Sequence, residues 1–380
     1  MKKRKSKRGV REGTIRERPD GRWEGRVLLG YQRGKRVRPS FYGSTREEVQ
    51  DKLRKAIEDA KAGIGLTPTN KQTVGQFLDD WLEDVVKKAV RPKTHHSYAQ
   101  LIRLHINPEL GRIQLSKLTP RRVQRLFNEK LDSDLAPRTV QYIRAVLRRA
   151  LEHAVKWDLV TRNVVKLTEP PRAVHHEITP LTPQQAKKLL KTLSGHRLEA
   201  LITVAAAMGL RQGEALGLKW ANIDFKAKQL RVTHALQYLG GEFSLVEPKT
   251  ARSRRTVSIP DVVLIKLKRH RTRQQKERLR AGGEWEDWGL VFTTRLGRPL
   301  EGSRVTRDFK LLLKQAGLPP QRFHDLRHAC ASFLLAQGVS ARQVMELLGH
   351  SQISLTLNTY SHILPSLQTE VAEKMDALLG

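Results

Sequence analysis

The sequence predicts a multidomain chain: a small three-stranded β-sheet plus one helix, then an all-α helical bundle, then a mainly α (α+β) domain. Three observations carry that prediction. Two stretches rich in Pro, Gly or Thr and lacking apolar periodicity, GIGLTPTNKQT (63–73) and TEPPRAVHHEITPLTP (168–183), read as linkers. They divide 380 residues into segments of ordinary domain size, bounded at 1–65, 66–170 and 171–380. The periodicity also changes at each linker, from short β-type runs to a helical repeat and then to a mixture.

In the first segment, GTIRERPDGRWEGRVLLGYQRGKRVRPSFYGST alternates short β-type runs with turn signals at Pro19-Asp20-Gly21, Gly34-Lys35 and Gly43-Ser44. Three short strands are expected. Ser44 or Thr45 then caps a helix through about Ala62, with Glu47 and Glu48 near its positive end. Residues 1–70 hold 20 Lys+Arg against 9 Asp+Glu, a net of +11. Such a sheet holds little core but can lay a strand face in a groove; Arg22, Lys35 and Arg36 are its candidate contacts.

The second segment shows the helical period plainly. In TVQYIRAVLRRALEHAVKW, residues Val140, Ile143, Leu147, Ala150 and Ala154 share one face. Arg144 and Arg148 sit four apart on another, either as a solvated face or as phosphate contacts. Thr94 in RPKTHHSYAQLIRLHI is the expected N-cap of an earlier helix. Breaks at PELG and LTP suggest a compact four- or five-helix domain, with Lys93, Thr94, Arg144 and Arg148 as candidate nucleic-acid contacts.

In the third segment, helices are expected near Pro183–Leu193, Leu198–Gly209, Gln212–Gly217, Val262–Ala281, Gly302–Ala316, His324–Gln337, Ala341–Leu348 and Leu367–Leu379. A β-rich interval, QLRVTHALQYLGGEFSLVEPKTARSRRTVSIP, contains a Gly240-Gly241 turn and a second turn around Lys249–Arg252.

Charge narrows the function. The chain carries 71 Lys+Arg against 38 Asp+Glu, hence +33. Such a chain repels itself and attracts phosphates, so nucleic acid is the leading partner. An anionic membrane is second, but no basic amphipathic helix with a bulky aromatic face is found, nor a run of about 18 apolar residues. The basic start MKKRKSKRGVREG lacks an apolar h-region, so no signal peptide is expected. Cys330 is the only cysteine, which excludes an intramolecular disulfide and suits a reducing compartment.

Four spots in the third segment could carry chemistry. Arg211 follows a break at Gly209, and a cation at a helix start wants an anion; Glu214 lies three residues on. Lys249 in EPKTARSRR sits at a hairpin tip, where a lysine can reach into a groove and donate a proton. In FHDLRHACASFLL, His324 and Arg327 share a helix face, an imidazole beside a guanidinium able to grip phosphate oxygens. His324 and His328 have i, i+4 zinc spacing, but Asp325 stands where a zincin needs Glu and no third ligand follows, so no metal is expected. In LGHSQISLTLNTYSH, Tyr360 lies ten residues after His350 in a polar stretch. A phenol, with pKa about 10, becomes a nucleophile only where cations and a base act on it. Each feature alone has a bland structural reading; together they make a set.

In order and spacing, Arg211 in GLRQGEALGL, Lys249 in PKTARSRRTVSIP, HDLRH and LGHSQISLTLNTYSH resemble the tyrosine recombinase (phage integrase) family over residues 180–380. The helical segment resembles that family's core-binding, SAM-like domain through KTHHSYAQLIRLHINPELGRIQLSKLT. The first segment resembles the arm-binding domain of phage and integrative-element integrases. Asn222 in KWANIDF departs, where an acid is common. The resemblance implies a catalytic third domain that cuts and rejoins DNA. Tyr360 would attack a scissile phosphate and form a 3′-phosphotyrosine. Arg211 and Arg327 would clamp the non-bridging oxygens. His324 would bond the phosphate and could take the tyrosine proton, Lys249 would protonate the leaving 5′-oxygen, and His350 would add a hydrogen bond. Glu214 would support Arg211 or the neighbouring helix.

No cofactor is expected, because the sequence lacks a P-loop and a Mg²⁺-holding acidic cluster, and a transesterification conserves the phosphodiester energy. The expected partners are double-stranded DNA at core and arm sites, a homotetramer on DNA, and DNA-bending or directionality factors, all in the bacterial cytoplasm. The tail LPSLQTEVAEKMDALL places Leu367, Val371, Met375 and Leu378 on one face. It either caps its own domain or, as the family suggests, docks on a neighbouring protomer. A non-catalytic DNA-binding protein and a type IB-like topoisomerase remain the alternatives.

Overall fold

Gly21, at φ +76°, closes the turn that folds β1 (Thr14–Glu17) against β2 (Trp23–Arg26). This is seen in a computed structural model that describes residues 13–32, 35–61, 71–172, 179–248, 253–349, 375–377 and 379. The chain divides into two units, Met1–His175 and His176–Gly380.

In the first unit, β1 and β2 continue antiparallel into β5 (Ser40–Gly43), giving the order β1-β2-β5. Between β2 and β5 lies a separate two-stranded ribbon, β3 (Gly30–Gln32) with β4 (Lys35–Val37). The segment thus has five described strands, three in the expected sheet and two in the ribbon. The breaks have physical reasons: Val27 turns its side chain into the small core with Val49 and Leu53, and Pro39 has no N–H to donate. Helix α1 (Arg46–Lys61) starts where Thr45 Oγ1 accepts the Glu48 N–H, while the Glu48 carboxylate accepts the Ser44 N–H. Gly25 lets α1 lie close on the sheet, since a Cβ there would overlap Val49 Cγ1. Arg22 is exposed and paired with Asp20 at 2.8 Å. The side chains of Lys35 and Arg36 lie outside the described set.

The same unit holds the helical segment. α2 (Val74–Trp81) is capped by Thr73 and Gln76 and passes through a π turn (Leu82–Val86). α3 (Pro92–Leu101) likewise runs into a π turn (Ile102–Ile106). α4 (Pro120–Asp132) and α5 (Pro137–Lys156) follow. One expectation is corrected: Arg91, not Thr94, is the N-cap of α3. Proline at the next position is preorganised for N1, so the helix starts three residues earlier than Thr94 would set it. Val140, Ile143, Leu147, Ala150 and Ala154 are fully buried around Phe77, Trp81 and Phe127, as their spacing predicted.

The second unit opens with α6 (Pro183–Thr192), α7 (Glu199–Met208) and α8 (Gln212–Leu216). A sheet of order β10-β7-β6 joins β6 (Ile223–Asp224), β7 (Gln229–Val232) and β10 (Arg255–Ser258). β8 (Ala235–Leu239) and β9 (Glu242–Val246) form a hairpin through Gly240 and Gly241, both at positive φ as a two-residue turn requires. α9 (Asp261–Ala281), α10 (Gly302–Gln315), α11 (Asp325–Ala336) and α12 (Ala341–Leu348) complete it. Their ends fall within a residue or two of those expected. The core gathers Leu201, Val204, Val263, Phe292 and Phe309. Of the expected tail helix, residues 375–377 and 379 are helical and the rest lies outside the described residues. No described helix is long and apolar enough to cross a membrane.

Candidate active site

Helix α7 ends at Gly209, whose φ of +60° is the left-handed cap that favours glycine. A Cβ there would also overlap Leu348 Cδ2, so α12 can approach only a glycine. The chain then extends to Arg211, the N-cap of α8. Arg211 Nη1 donates to Glu214 Oε1 at 2.7 Å, its backbone N–H donates to Glu214 Oε2 at 3.1 Å, and Nη2 donates to Gly349 O at 3.2 Å. The anion that a cation at a helix start requires is therefore the acid three residues on.

Arg327, in the first turn of α11, is 2% exposed. Its Nη1 donates to Gly209 O and its Nη2 to Leu348 O, both at 2.6 Å. A third arginine, Arg255, opens β10. Its Nη2 donates to Glu214 Oε2 at 3.1 Å, Nε to Leu347 O at 2.6 Å and Nη1 to Ser253 O at 3.1 Å. Three guanidinium groups thus meet three successive carbonyls, Leu347, Leu348 and Gly349, at the C-terminal end of α12. A helix end leaves carbonyls without intrahelical partners and carries partial negative charge, so it is a natural seat for cations.

Glu214 balances two of these cations. Its burial raises its pKa, but Arg255 and Arg211 more than offset that, so it lies below the usual carboxylate range. His324 immediately precedes α11. Partial burial of its ring, then the fields of His328, Arg327 and Arg211, push its pKa down to about 4, although the residue keeps an exposed edge. It is therefore neutral near pH 7. The His328 ring stands edge-on to it, with centroids 5.2 Å apart, and burial lowers its pKa too. Asp325 accepts the Arg322 N–H at 2.8 Å and pairs with its guanidinium, fixing the start of α11. Burial pushes the Cys330 thiol up to about 12, which leaves it inert as a nucleophile.

The structure brings together Arg211, Glu214, His324 and Arg327 from the predicted set. Lys249, His350 and Tyr360 lie outside the described residues. Asn222, the departure noted above, donates its side-chain N–H to Thr233 Oγ1 at 2.6 Å. Sequence reasoning missed Arg255. A signal existed: it shares the inner face of its strand with buried Val257 and Ile259 at period two, so a cation there needs a buried acid. Of the expected nucleic-acid contacts, Arg144 is bound to its own unit, donating to Thr168 O at 3.1 Å. Arg148 and Lys93 are exposed, and Arg148 shares an open basic groove with Arg149 and Lys166.

The profile of the Phage integrase family matches residues 180–366, and that of the phage integrase N-terminal SAM-like domain matches residues 73–131. The chain is 34% identical over 366 residues to a tyrosine recombinase XerC-like protein of Caldanaerobacter subterraneus subsp. tengcongensis, covering 91% of this chain and 93% of that one. It is 26% identical over 373 residues to the ICEBs1 integrase of Bacillus subtilis, covering 96% and 100%. In fold it is similar to a Tn1549 transposon integrase in complex with a circular intermediate DNA, with a TM-score of 0.68, 21% identity and coverage of 80% and 99%. A lambda integrase dimer bound to a core site gives a TM-score of 0.58 at 20% identity, covering 94% and 96%. The chain belongs to the phage integrase family, the tyrosine-type site-specific DNA recombinases.

Proposed function

We propose that the second unit breaks and rejoins DNA strands through Tyr360, with Arg211, His324 and Arg327 around the scissile phosphate. The carrying observation is the convergence of Arg211 and Arg327 on adjacent carbonyls at the turn that leads into His350, with a neutral imidazole beside them. Tyr360 Oη attacks phosphorus as its proton passes to His324. The bond from phosphorus to the 5′-oxygen breaks, Lys249 protonates that oxygen, and a 3′-phosphotyrosine remains. Rejoining reverses each step. Charge grows on the non-bridging oxygens in the transition state, where two fixed guanidinium groups and His350 stabilise it most. Glu214 keeps Arg211 in place without entering the chemistry.

The chain acts in this reading as three modules: an arm-type DNA-binding domain (1–65), a core-binding domain (66–170) and the catalytic domain (171–380). Separate apolar cores around Val49, around Phe127 and around Phe309 support that division. Arg22, Lys35 and Arg36 contact arm-type DNA, and Lys93 and Arg148 contact core-site phosphates. Recombination joins two duplexes, so we assign a homotetramer on DNA with docking of the tail helix between protomers, and DNA-bending or directionality factors as further partners in the bacterial cytoplasm. A lambda integrase tetramer bound to a Holliday junction, similar in fold to this chain at a TM-score of 0.57, supports the assembly.

The test is a nicked suicide substrate incubated with the full chain in chelator. A covalent protein–DNA adduct is expected, and Tyr360→Phe should abolish it while leaving DNA binding within about twofold. Binding without any adduct from the wild type would point instead to a DNA-binding protein without catalysis.

A further inference from the structure

We propose that Arg255 is a positioning residue for strand cleavage, a strut that ties three catalytic segments into one register. The proposal rests on the recombinase reading above. All three nitrogens of its guanidinium are used, and two of them reach other segments. Nη2 bonds Glu214, the acid that also holds Arg211. Nε bonds Leu347 O, three residues before His350. Nη1 bonds Ser253 O, two residues back along its own segment. The side chain is 7% exposed and Glu214 is 3% exposed, so water competes little with these bonds.

The geometry demands arginine. A planar fork with donors in three fixed directions can serve three targets, whereas a lysine is a single point of charge. Arg255→Lys keeps the positive charge opposite Glu214 and loses the fork. Arg255 contributes through the placement of Arg211, by way of Glu214, and of the end of α12, and a misplacement of about 1 Å in such groups costs up to roughly 100-fold in rate.

The experiment measures single-turnover adduct formation by the full chain on the suicide substrate, at saturating DNA, beside the Kd for the same DNA. Rates are normalised to DNA-bound protein, so unfolded molecules do not enter. Arg255→Lys is expected to slow adduct formation roughly 10- to 100-fold with Kd within about twofold. Arg255→Gln should be slower still. Combined with Glu214→Gln, Arg255→Lys should add less than its own factor, because both act on one strut. A Lys variant that cleaves at the wild-type rate, or one whose affinity falls as far as its rate, would overturn the proposal. A wild type that forms no adduct would instead remove the recombinase reading on which it stands.

Discussion

Glu24 and Glu214 look alike in outline: each is a buried carboxylate held by two arginines. Their surroundings differ. Glu24 lies on the small sheet, 1% exposed, and its partners Arg16 and Arg26 are 66% and 48% exposed. Those arginines lie over the sheet and hold the carboxyl at a pKa of about 2, Arg16 contributing most. Glu214 is clamped by Arg211 and by the nearly buried Arg255, and each of these also grips a carbonyl at the end of α12. The first cluster staples a sheet. The second transmits position from one element to the next. In a chain of +33, cations alone say little about function. Cations that are buried, paired with one acid and bonded to backbone mark the place where positions are being fixed.

The sharpest way to break this comparison is to remove each acid. Glu214→Ala leaves two neighbouring cations without their counter-charge and should cost about 3–5 kcal/mol of stability in the second unit, with adduct formation lost. Glu24→Ala should loosen the N-terminal sheet and leave cleavage of a minimal core-site substrate near wild type. Denaturant unfolding and the suicide-substrate assay read both. Equal effects on cleavage would erase the distinction.

Acid should separate the two regions by pH window. His270 is 5% exposed; its Nδ1 faces Arg273 Nη2 at 2.8 Å, so Nε2–H must donate to Val291 O at 2.7 Å. Burial pushes its pKa down to about 4 from 6.5. The unfolded state binds the extra proton, so the stability due to neutral His270 is complete above about pH 6.5. It falls towards pH 4, by up to about 3 kcal/mol. Glu24 is likewise held deprotonated by the fold, here as the charged form: its contribution is complete above about pH 4.5 and is lost as pH falls towards 2. Hydrogen exchange at pH 5 should show the second unit loosened and the sheet intact, and His270→Gln should flatten the slope between pH 6.5 and 4. A pH-independent second unit would contradict this.

Gly209→Ala tests the close approach that brings Arg327 to α12. A positive φ costs roughly 1 kcal/mol or more, and the methyl group would have to displace Leu348. Reduced thermal stability and slower cleavage are expected together. The smallest effect belongs to the exposed pair Arg22–Asp20: Asp20→Ala should leave the thermal midpoint unchanged within error.

Much of this was legible in the sequence, for local reasons. Thr182 with Gln185 and Ser340 with Gln343 write their helix starts as capping boxes, and both form. The period of Val140, Ile143 and Leu147 marked a buried face that is buried. Thr94 misled because a polar cap residue was weighed above the proline at N1. The β3–β4 ribbon was hidden because one stretch of β-forming residues serves two pairings. Arg211, Glu214, His324 and Arg327 could be named one by one, and their convergence could only come from the fold. Arg255 was masked by Arg254 beside it, since a pair of arginines reads as surface charge until strand alternation turns one of them inward.

The central claim is that these separated side chains act on one phosphodiester and make one phenol reactive. The most direct measurement is to digest the covalent complex formed on a suicide substrate and identify, by mass spectrometry, the residue joined to the DNA 3′ phosphate. The account predicts Tyr360, with the yield reduced by at least roughly 100-fold in Arg327→Ala. DNA joined to any other residue, or an undiminished yield in Arg327→Ala, would contradict it.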